Sequence, residues 1–436
     1  MSLTSFVTTV LVGRLGEEQL GVYGLGVGTF WLALGIPKAL VWTPYTARAA
    51  QLDERARDRL RARSTALLAA LAAAAAVVIA ACGAVVYAAA PGQAWLANLL
   101  FCMAPLAMAV TLREHVRRIA IADFRTPQLL LVDLPLCVGT IAAVALLGAQ
   151  GWLTACTAIL ATAALAAATL PLVWRQFART KPSLAGVAAE ARSSWRFGRW
   201  LLLAAIALLV SDSSLRWMLT GMHGKAAMGL FMAAFSVVML VNPLMLAMNT
   251  FARSWATRVY SRGHYPGLLL HTKKSTAVAA AAALVAAVLF WTLGGYAVAL
   301  AFPKATSDPW LLRLLAIGIC LQATLIPAEA ALTAMQRGKQ LSAASGARLA
   351  TTLAVGVPLV YLQGPLGIAW AVIARSVPVV IMYWRSLLLT DERKQAPAEI
   401  QHSAGVSPAQ ATTLPAAPPA PQPGPPQPAP ADCVGA

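Results

Sequence analysis

Residues 54–90 read ERARDRLRARSTALLAALAAAAAVVIAACGAVVYAAA, and this stretch determines the class of fold. Its first ten residues carry seven charged side chains, whereas the 27 that follow carry none. A helix of roughly 20 apolar residues crosses a hydrocarbon core about 30 Å thick. Residues 64–90 therefore predict a transmembrane helix with a charged segment at one end.

The same alternation runs through the chain and predicts an all-α polytopic membrane protein with about 12 helices. Of its 436 residues, 59% are hydrophobic and 11% are charged, while about a quarter of the residues of a soluble domain are charged. The predicted spans lie near 2–13, 20–46, 64–90, 93–112, 127–148, 151–174, 197–220, 226–250, 275–302, 309–334, 342–362 and 365–388. The first is shorter than a bilayer requires, so the sequence is interpreted as beginning inside its first helix.

Arginine and lysine concentrate in alternate loops, which predicts the orientation. The basic loops are 48–63, 113–125, 175–199, 253–274 and 337–348. The positive-inside rule places these loops, and with them both termini, on the cytoplasmic side of the membrane. The net charge of +18 is spread over many loops, which disfavours nucleic-acid binding because a nucleic-acid site gathers its basic residues in one patch.

Two stretches of the chain match at a constant offset of 208 residues. The matching positions are Gly13, Gly16, Gly21 and Tyr23 against Gly221, Gly224, Gly229 and Phe231. The match predicts two six-helix lobes related as parallel repeats, residues 1–174 and 196–390, joined by a basic cytoplasmic linker at 175–195. Such repeats are typical of transporters that bind substrate between lobes and work by alternating access. Residues 391–436 are proline-rich and predict a disordered cytoplasmic tail.

Ionisable side chains inside predicted spans are candidates for function, because a charge is costly to insert into a bilayer. Asp212 and Arg216 are four residues apart and share a helix face. In one alternative, Arg216 binds a pyrophosphate or acidic sugar, and Asp212 orients the Arg216 side chain or releases it when the substrate competes. In the other, Asp212 and Arg216 form an ion pair that only offsets the cost of its own burial. Arg375, near the middle of the last span, has the planar guanidinium that suits phosphate oxygens.

Further charged groups lie near the cytoplasmic ends of the spans. Arg113, Arg117 and Arg118 form either a collar that first meets a lipid pyrophosphate or a positive-inside anchor. Asp133 is a coupling candidate, but a structural pair with Arg113 or Arg125 is favoured. Glu329, two residues after Pro327, is a candidate proton-coupling group.

No catalytic or cofactor-binding pattern is present in the sequence. The six cysteines and five histidines are scattered, with the histidines predicted outside the spans, and no metal-ligand spacing or nucleotide-binding glycine loop occurs. The sequence predicts no enzyme activity, no metal and no cofactor.

Three stretches resemble polysaccharide flippases of the multidrug/oligosaccharidyl-lipid/polysaccharide (MOP) exporter superfamily. They are Arg-Leu-Gly-x-x-x-x-Gly-x-Tyr-x-x-Gly at 14–26, Ser-Trp-Arg-Phe-Gly-Arg-Trp at 194–200 and His-Gly-Lys-Ala-Ala-Met-Gly-Leu-Phe-x-Ala-Ala at 223–234. The resemblance extends over residues 1–390 and implies a two-lobe fold with an undecaprenyl-pyrophosphate-linked oligosaccharide as cargo. Related lipid flippases line their cavity with arginines on the first, second and eighth helices, and the nearest residues here are Arg14, Arg48 and Arg253. Near span ends, these side chains can instead reach the membrane interface.

The expected function is translocation of a lipid-linked oligosaccharide for lipopolysaccharide or exopolysaccharide biosynthesis, in contact with membrane lipid and with polysaccharide-assembly proteins. One alternative is a cation-coupled multidrug exporter of the same superfamily, although residues 1–13 lack the aspartate that such exporters often carry. The second alternative is a membrane-embedded glycan polymerase or ligase, which the short, nearly uncharged outward loops disfavour.

Overall fold

The computed structural model describes residues 3–49, 52–123, 126–177, 185–261, 265–304, 308–335 and 337–389. Within these ranges the chain is helical and contains no β-strand. The described residues belong to one compact unit, Met1–Thr390. The predicted disordered tail lies outside the described residues. The all-α class is confirmed, whereas the division into two six-helix lobes stays a prediction.

Fourteen α-helices follow one another along the described chain. They are α1 Leu3–Gly13, α2 Glu17–Pro37, α3 Thr43–Ala49, α4 Glu54–Ala89, α5 Ala94–Ala122, α6 Thr126–Ala149, α7 Ala155–Phe177, α8 Val187–Val238, α9 Asn242–Ser261, α10 Tyr265–Ala301, α11 Pro309–Ala334, α12 Gly338–Thr351, α13 Val357–Gln363 and α14 Pro365–Leu388. Two π-helical turns, Lys38–Trp42 and Thr352–Gly356, connect α2 to α3 and α12 to α13.

The helices agree with the predicted spans in position. Eight helical segments of the described chain are long and apolar enough to cross a membrane, and Thr4–Gly13, Asp133–Ala149 and Ala155–Pro171 are shorter apolar helices. One of the eight, Gly198–Tyr260, covers the seventh and eighth predicted spans together. Its backbone is broken at Gly224, where φ is +83°, so the predicted loop between these spans is a local break. The number of twelve spans stays a prediction.

Helix α2 crosses α8 on a row of glycines. Methyl groups added at Gly21, Gly24 and Gly35 would overlap the Lys225 carbonyl oxygen, the Met232 side chain and the Leu209 side chain, respectively. Small residues allow helix backbones to approach closely in a membrane protein. The glycine content of α2 therefore sets the distance between these two helices.

The crossing is reciprocal between the two copies of the sequence repeat. A methyl at Gly21 would overlap the carbonyl of Lys225, and a methyl at Gly229 would overlap the carbonyl of Glu17. Both pairs are related by the offset of 208 residues. The repeated glycines that precede them also agree in conformation, since Gly16 has φ +130° and ψ 170° and Gly224 has φ +83° and ψ 177°. Only glycine adopts such angles without strain.

Large apolar side chains on α4 and α10 point away from the protein interior. Val77, Val85, Leu284 and Leu300 are each more than half exposed. Apolar surface of this extent marks a contact with lipid or with another protein. Its position on two of the longest apolar helices agrees with a membrane surrounding the bundle.

Candidate functional site

Three helices, α8, α12 and α14, bring one carboxylate and two guanidinium groups together inside the bundle. Oδ1 of Asp212 lies 2.5 Å from Nη1 of Arg375 and 3.2 Å from Nη2 of Arg348. The exposed fractions of the side chains are 35% for Asp212, 11% for Arg348 and 6% for Arg375. The carboxylate is thus the most accessible member of a largely buried cluster.

A chain of hydrogen bonds holds the two arginines in place. Nη1 of Arg375 donates to the Ser211 hydroxyl at 3.3 Å, and the hydroxyls of Ser211 and Thr352 lie 2.5 Å apart. Thr352 opens the π-helical turn and donates to the carbonyl of Arg348 at 2.8 Å. Because a hydroxyl has a single hydrogen to donate, Ser211 is the donor to Thr352. The network therefore runs from Arg375 to the backbone of Arg348.

Arg216 faces a different neighbour from the one that its spacing predicts. It forms no ion pair with Asp212 in the described part of the chain. Its Nη1 would lie 2.8 Å from a methyl added at Gly28, and its guanidinium lies over the ring of Phe235, 5.1 Å from the centroid. The Asp212–Arg216 ion pair, one of the two alternatives for this spacing, is therefore not formed among the described side chains, because two other helices supply the direct partners of Asp212 and α2 leaves room for Arg216 beside Gly28.

Positive charge is in excess at this site. Asp212 is paired with Arg348 and Arg375, and Arg216 lies about one helical turn further along α8, so three arginines accompany one aspartate. Nε of both Arg348 and Arg375 is buried and has no hydrogen-bond partner among the described residues. Buried donors of this kind are costly when they are left unpaired. The arrangement is chemically suited to an anion with several oxygen atoms.

Arg48 and Arg253, two of the three arginines nearest to the cavity positions of related flippases, have carboxylate partners. Nη2 of Arg48 lies 2.5 Å from Glu190 on α8, and Nη2 of Arg253 lies 2.8 Å from Glu329 on α11. The structure does not bring Arg48 or Arg253 into contact with Arg375. Glu329 is therefore already engaged by a cation.

The predicted collar arginines are also paired. Asp133 accepts from Arg113 at 2.8 Å and lies 3.1 Å from Nε of Arg117, while Arg118 lies 2.9 Å from Glu114. The predicted Asp133–Arg113 pair is present, and the alternative partner Arg125 lies outside the described residues. Pairing with carboxylates lowers the net charge that these residues offer to a ligand.

Two residues of interest were not singled out by the sequence. Arg348 was counted as a loop charge, but it lies in α12 and binds Asp212. Lys38 begins a π-helical turn and interacts electrostatically with Arg253 and Arg118 and with Glu329. The signal that could have identified Lys38 is a charged residue directly after Pro37, inside the apolar stretch 20–46.

His115, predicted to lie outside the spans, packs between two helices. This residue is fully buried in α5, and its Nε2 lies 3.0 Å from Oγ1 of Thr65 on α4. Helix α5 continues to Ala122, beyond the predicted end of the span at 112, and the prediction that His115 lies outside the membrane stays a prediction. Within the described ranges, no cluster of histidine, cysteine or acidic side chains has the geometry of a metal site.

No protein-family model and no curated protein matches the sequence. The fold is similar to that of an inward-facing multidrug resistance MATE family transporter of the MOP superfamily, with a TM-score of 0.74 and 16% identity over 91% of this chain and 97% of that one. It is also similar to the lipid II flippase MurJ in an inward closed conformation, with a TM-score of 0.69 and 11% identity over 90% and 86% of the chains.

A MOP superfamily transporter from Pyrococcus furiosus, described as having a binding pocket of reverse polarity, has a TM-score of 0.66 and 16% identity over 90% of this chain and 93% of that one. At such low identities the likeness concerns the fold. The chain therefore has the multi-span helical fold of the MOP superfamily transporters.

Proposed function

We propose that the protein is a secondary transporter that translocates a polyprenyl-pyrophosphate-linked oligosaccharide across the bacterial inner membrane by alternating access. Its role would be the biosynthesis of a cell-surface polysaccharide such as a lipopolysaccharide or exopolysaccharide. The observation that carries the proposal is the pairing of both Arg348 and Arg375 with the single carboxylate of Asp212, with Arg216 about one helical turn away on α8. A cluster with excess positive charge in the interior of an apolar bundle requires an anionic partner.

The chemistry of the arginines supports a phosphate-containing head group. Guanidinium groups donate paired hydrogen bonds to phosphate oxygens, and two of them here carry a buried, unpartnered Nε. The head group would bind among these arginines while the polyprenyl chain stays in lipid. Rocking of the two predicted lobes would then expose the head group on the outer side.

Lys38 and its electrostatic partners Arg118 and Arg253 are proposed to line the route from the cytoplasmic side to the cluster. Lys38 is exposed, although it lies within a helical segment that is apolar enough to span a membrane. The positive-inside rule supports cytoplasmic termini. The proposed partners are the lipid-linked oligosaccharide, membrane lipids and polysaccharide-assembly proteins.

The likeness to MATE multidrug transporters favours a second candidate function, a cation-coupled drug exporter. An organic cation needs a carboxylate that is free to receive it. Asp212 is bound by two arginines, Glu329 by Arg253, and Asp133 by Arg113 and Arg117. The charges of the interior therefore favour an anionic cargo over a cationic one.

Mass spectrometry of polyprenyl-linked oligosaccharides in a deletion strain tests the proposal. We expect complete lipid-linked repeat units to accumulate and wild-type protein to relieve the accumulation. Arg216→Gln and Arg375→Gln are expected to fail at equal membrane abundance, because each removes a positive charge from the cluster. Arg216 has no ion-pair partner among the described residues, so its loss leaves no buried carboxylate behind.

Arg313→Gln is the matched control, because Arg313 lies over the rings of Trp291 and Trp310, away from the cluster. It is expected to relieve the accumulation as wild type does. Absence of accumulation in the deletion strain, together with altered sensitivity to cationic drugs, would instead support the exporter.

A further inference from the structure

We propose that Asp212 is an internal counter-anion that occupies the anion site of the unloaded protein and is displaced from Arg348 and Arg375 by an incoming phosphate-class anion. The inference deepens the proposed function and rests on it for the identity of the natural cargo. The binding chemistry itself depends only on the geometry of the cluster. It assigns Asp212 a role in selecting the ligand.

The geometry makes Asp212 a competitor for the same donors that a phosphate would use. A single oxygen, Oδ1, lies between the guanidinium groups of Arg348 and Arg375, at 3.2 Å and 2.5 Å. A phosphate oxygen that bridges the two arginines would take this position. The carboxylate and the phosphate therefore cannot both occupy it.

Arg375 has a second partner, whereas the side chain of Asp212 is held by the two arginines. Arg375 keeps its hydrogen bond to Ser211 without the carboxylate, and the hydroxyl of Thr352 holds the backbone of Arg348. Asp212 is the most exposed of the three side chains. Because its side chain is short and has staggered alternatives, a change of rotamer uncovers both guanidinium groups without a movement of the helices.

The exchange favours anions with several charges and several oxygens. The carboxylate leaves Nε of both arginines unpartnered among the described residues, and with Arg216 the cluster retains an excess of two positive charges. A pyrophosphate group carries enough charge to neutralise this excess and enough oxygens to reach more donors. A monovalent anion would replace Asp212 without improving the balance, so the counter-anion discriminates against chloride.

Binding of inorganic pyrophosphate to the purified full chain in detergent, measured by isothermal titration calorimetry at constant ionic strength, tests the inference. An internal competitor reduces the apparent affinity in proportion to the fraction of protein in which the site is open. Asp212→Asn removes the competitor, so it is expected to bind pyrophosphate about tenfold more tightly than wild type. Asp212→Glu keeps the negative charge and is expected to stay close to wild type. Arg375→Gln is expected to lose binding.

Asp123→Asn is the matched control, because Asp123 also lies between two arginines, 2.8 Å from Arg61 and 4.0 Å from Arg57, at a different place in the bundle. Its affinity for pyrophosphate is expected to equal that of wild type. An affinity of Asp212→Asn equal to or weaker than wild type, in protein that remains monodisperse, would overturn the inference. Equal tightening by Asp123→Asn would also overturn it, since the effect would then come from net charge alone.

Orthophosphate and a short-chain polyprenyl pyrophosphate, titrated in parallel, distinguish a free phosphate from a lipid head group as the preferred ligand. The result of the pyrophosphate titration can be distinguished from the result of the test of the proposed function. Tightening by Asp212→Asn without accumulation of lipid-linked oligosaccharide in the deletion strain would support the counter-anion and overturn the cargo. Accumulation without tightening would support the cargo and overturn the counter-anion.

Discussion

Gly229→Ala is expected to lower the free energy of unfolding by about 3 kcal/mol, at the upper end of the range for overpacked interiors. The added methyl would overlap the carbonyl oxygen of Glu17. A backbone carbonyl within a helix cannot rotate away, so α2 and α8 must separate along their crossing. By the reciprocity of the contact, Gly21→Ala is expected to have an effect of similar size through the carbonyl of Lys225.

Thermal unfolding in detergent, followed by tryptophan fluorescence, measures this effect. Gly221→Ala is the matched control, since it lies on the same helix and no neighbouring atom lies within 4 Å of the added methyl. It is expected to unfold at the wild-type temperature or slightly above, because alanine favours a helix over glycine. Equal stability of Gly229→Ala and Gly221→Ala would contradict the close crossing of these helices.

Arg375→Gln is the second substitution for which we expect a large effect, a loss of about 3 kcal/mol. Asp212 would keep Arg348 but lose its shorter ion pair, and a partly uncompensated charge would remain inside the bundle. Asp212→Asn alone leaves two buried arginines without their carboxylate. The double variant removes both partners, so it is expected to be less destabilised than the sum of the single variants by about 1–3 kcal/mol.

A double-mutant cycle of thermal unfolding measures this coupling. Pyrophosphate is expected to restore the stability of Asp212→Asn, because a ligand that binds only the folded state stabilises it. Additive single effects would mean that Asp212 and Arg375 do not depend on each other, contrary to their separation of 2.5 Å. The control pair is Lys225→Gln with Glu18→Gln, an exposed ion pair at 3.0 Å, for which we expect coupling of less than about 1 kcal/mol.

The helical class and the approximate positions of the spans were predictable because they follow from local composition. A stretch such as residues 64–90 is too long and too apolar for another fold. The repeated glycines were visible for the same reason, and Gly16 and Gly224 do share a backbone break. Local signals of this kind need no knowledge of which helices are neighbours.

The residues of the site were only partly predictable because their contacts are tertiary and join side chains on different helices. The four-residue spacing of Asp212 and Arg216 indicates a shared helix face, but it does not indicate which helices approach that face. Arg348 was grouped with a basic loop because Arg337 and Lys339 precede it in the sequence. Arg375 stood out from the sequence because it lies far from either end of an apolar segment, and it is buried in the structure, while its role in a cavity stays a prediction.

The reciprocal contact between α2 and α8 has a consequence for how the chain tolerates change. If each half of this chain were a separate subunit of a symmetric dimer, the same glycine and the same carbonyl of both subunits would make the two contacts, as in any isologous interface. Here the two contacts belong to different positions of a single polypeptide. Substitutions at Gly21 and at Gly229 are therefore constrained independently, because Gly21 accommodates the carbonyl of Lys225 and Gly229 that of Glu17.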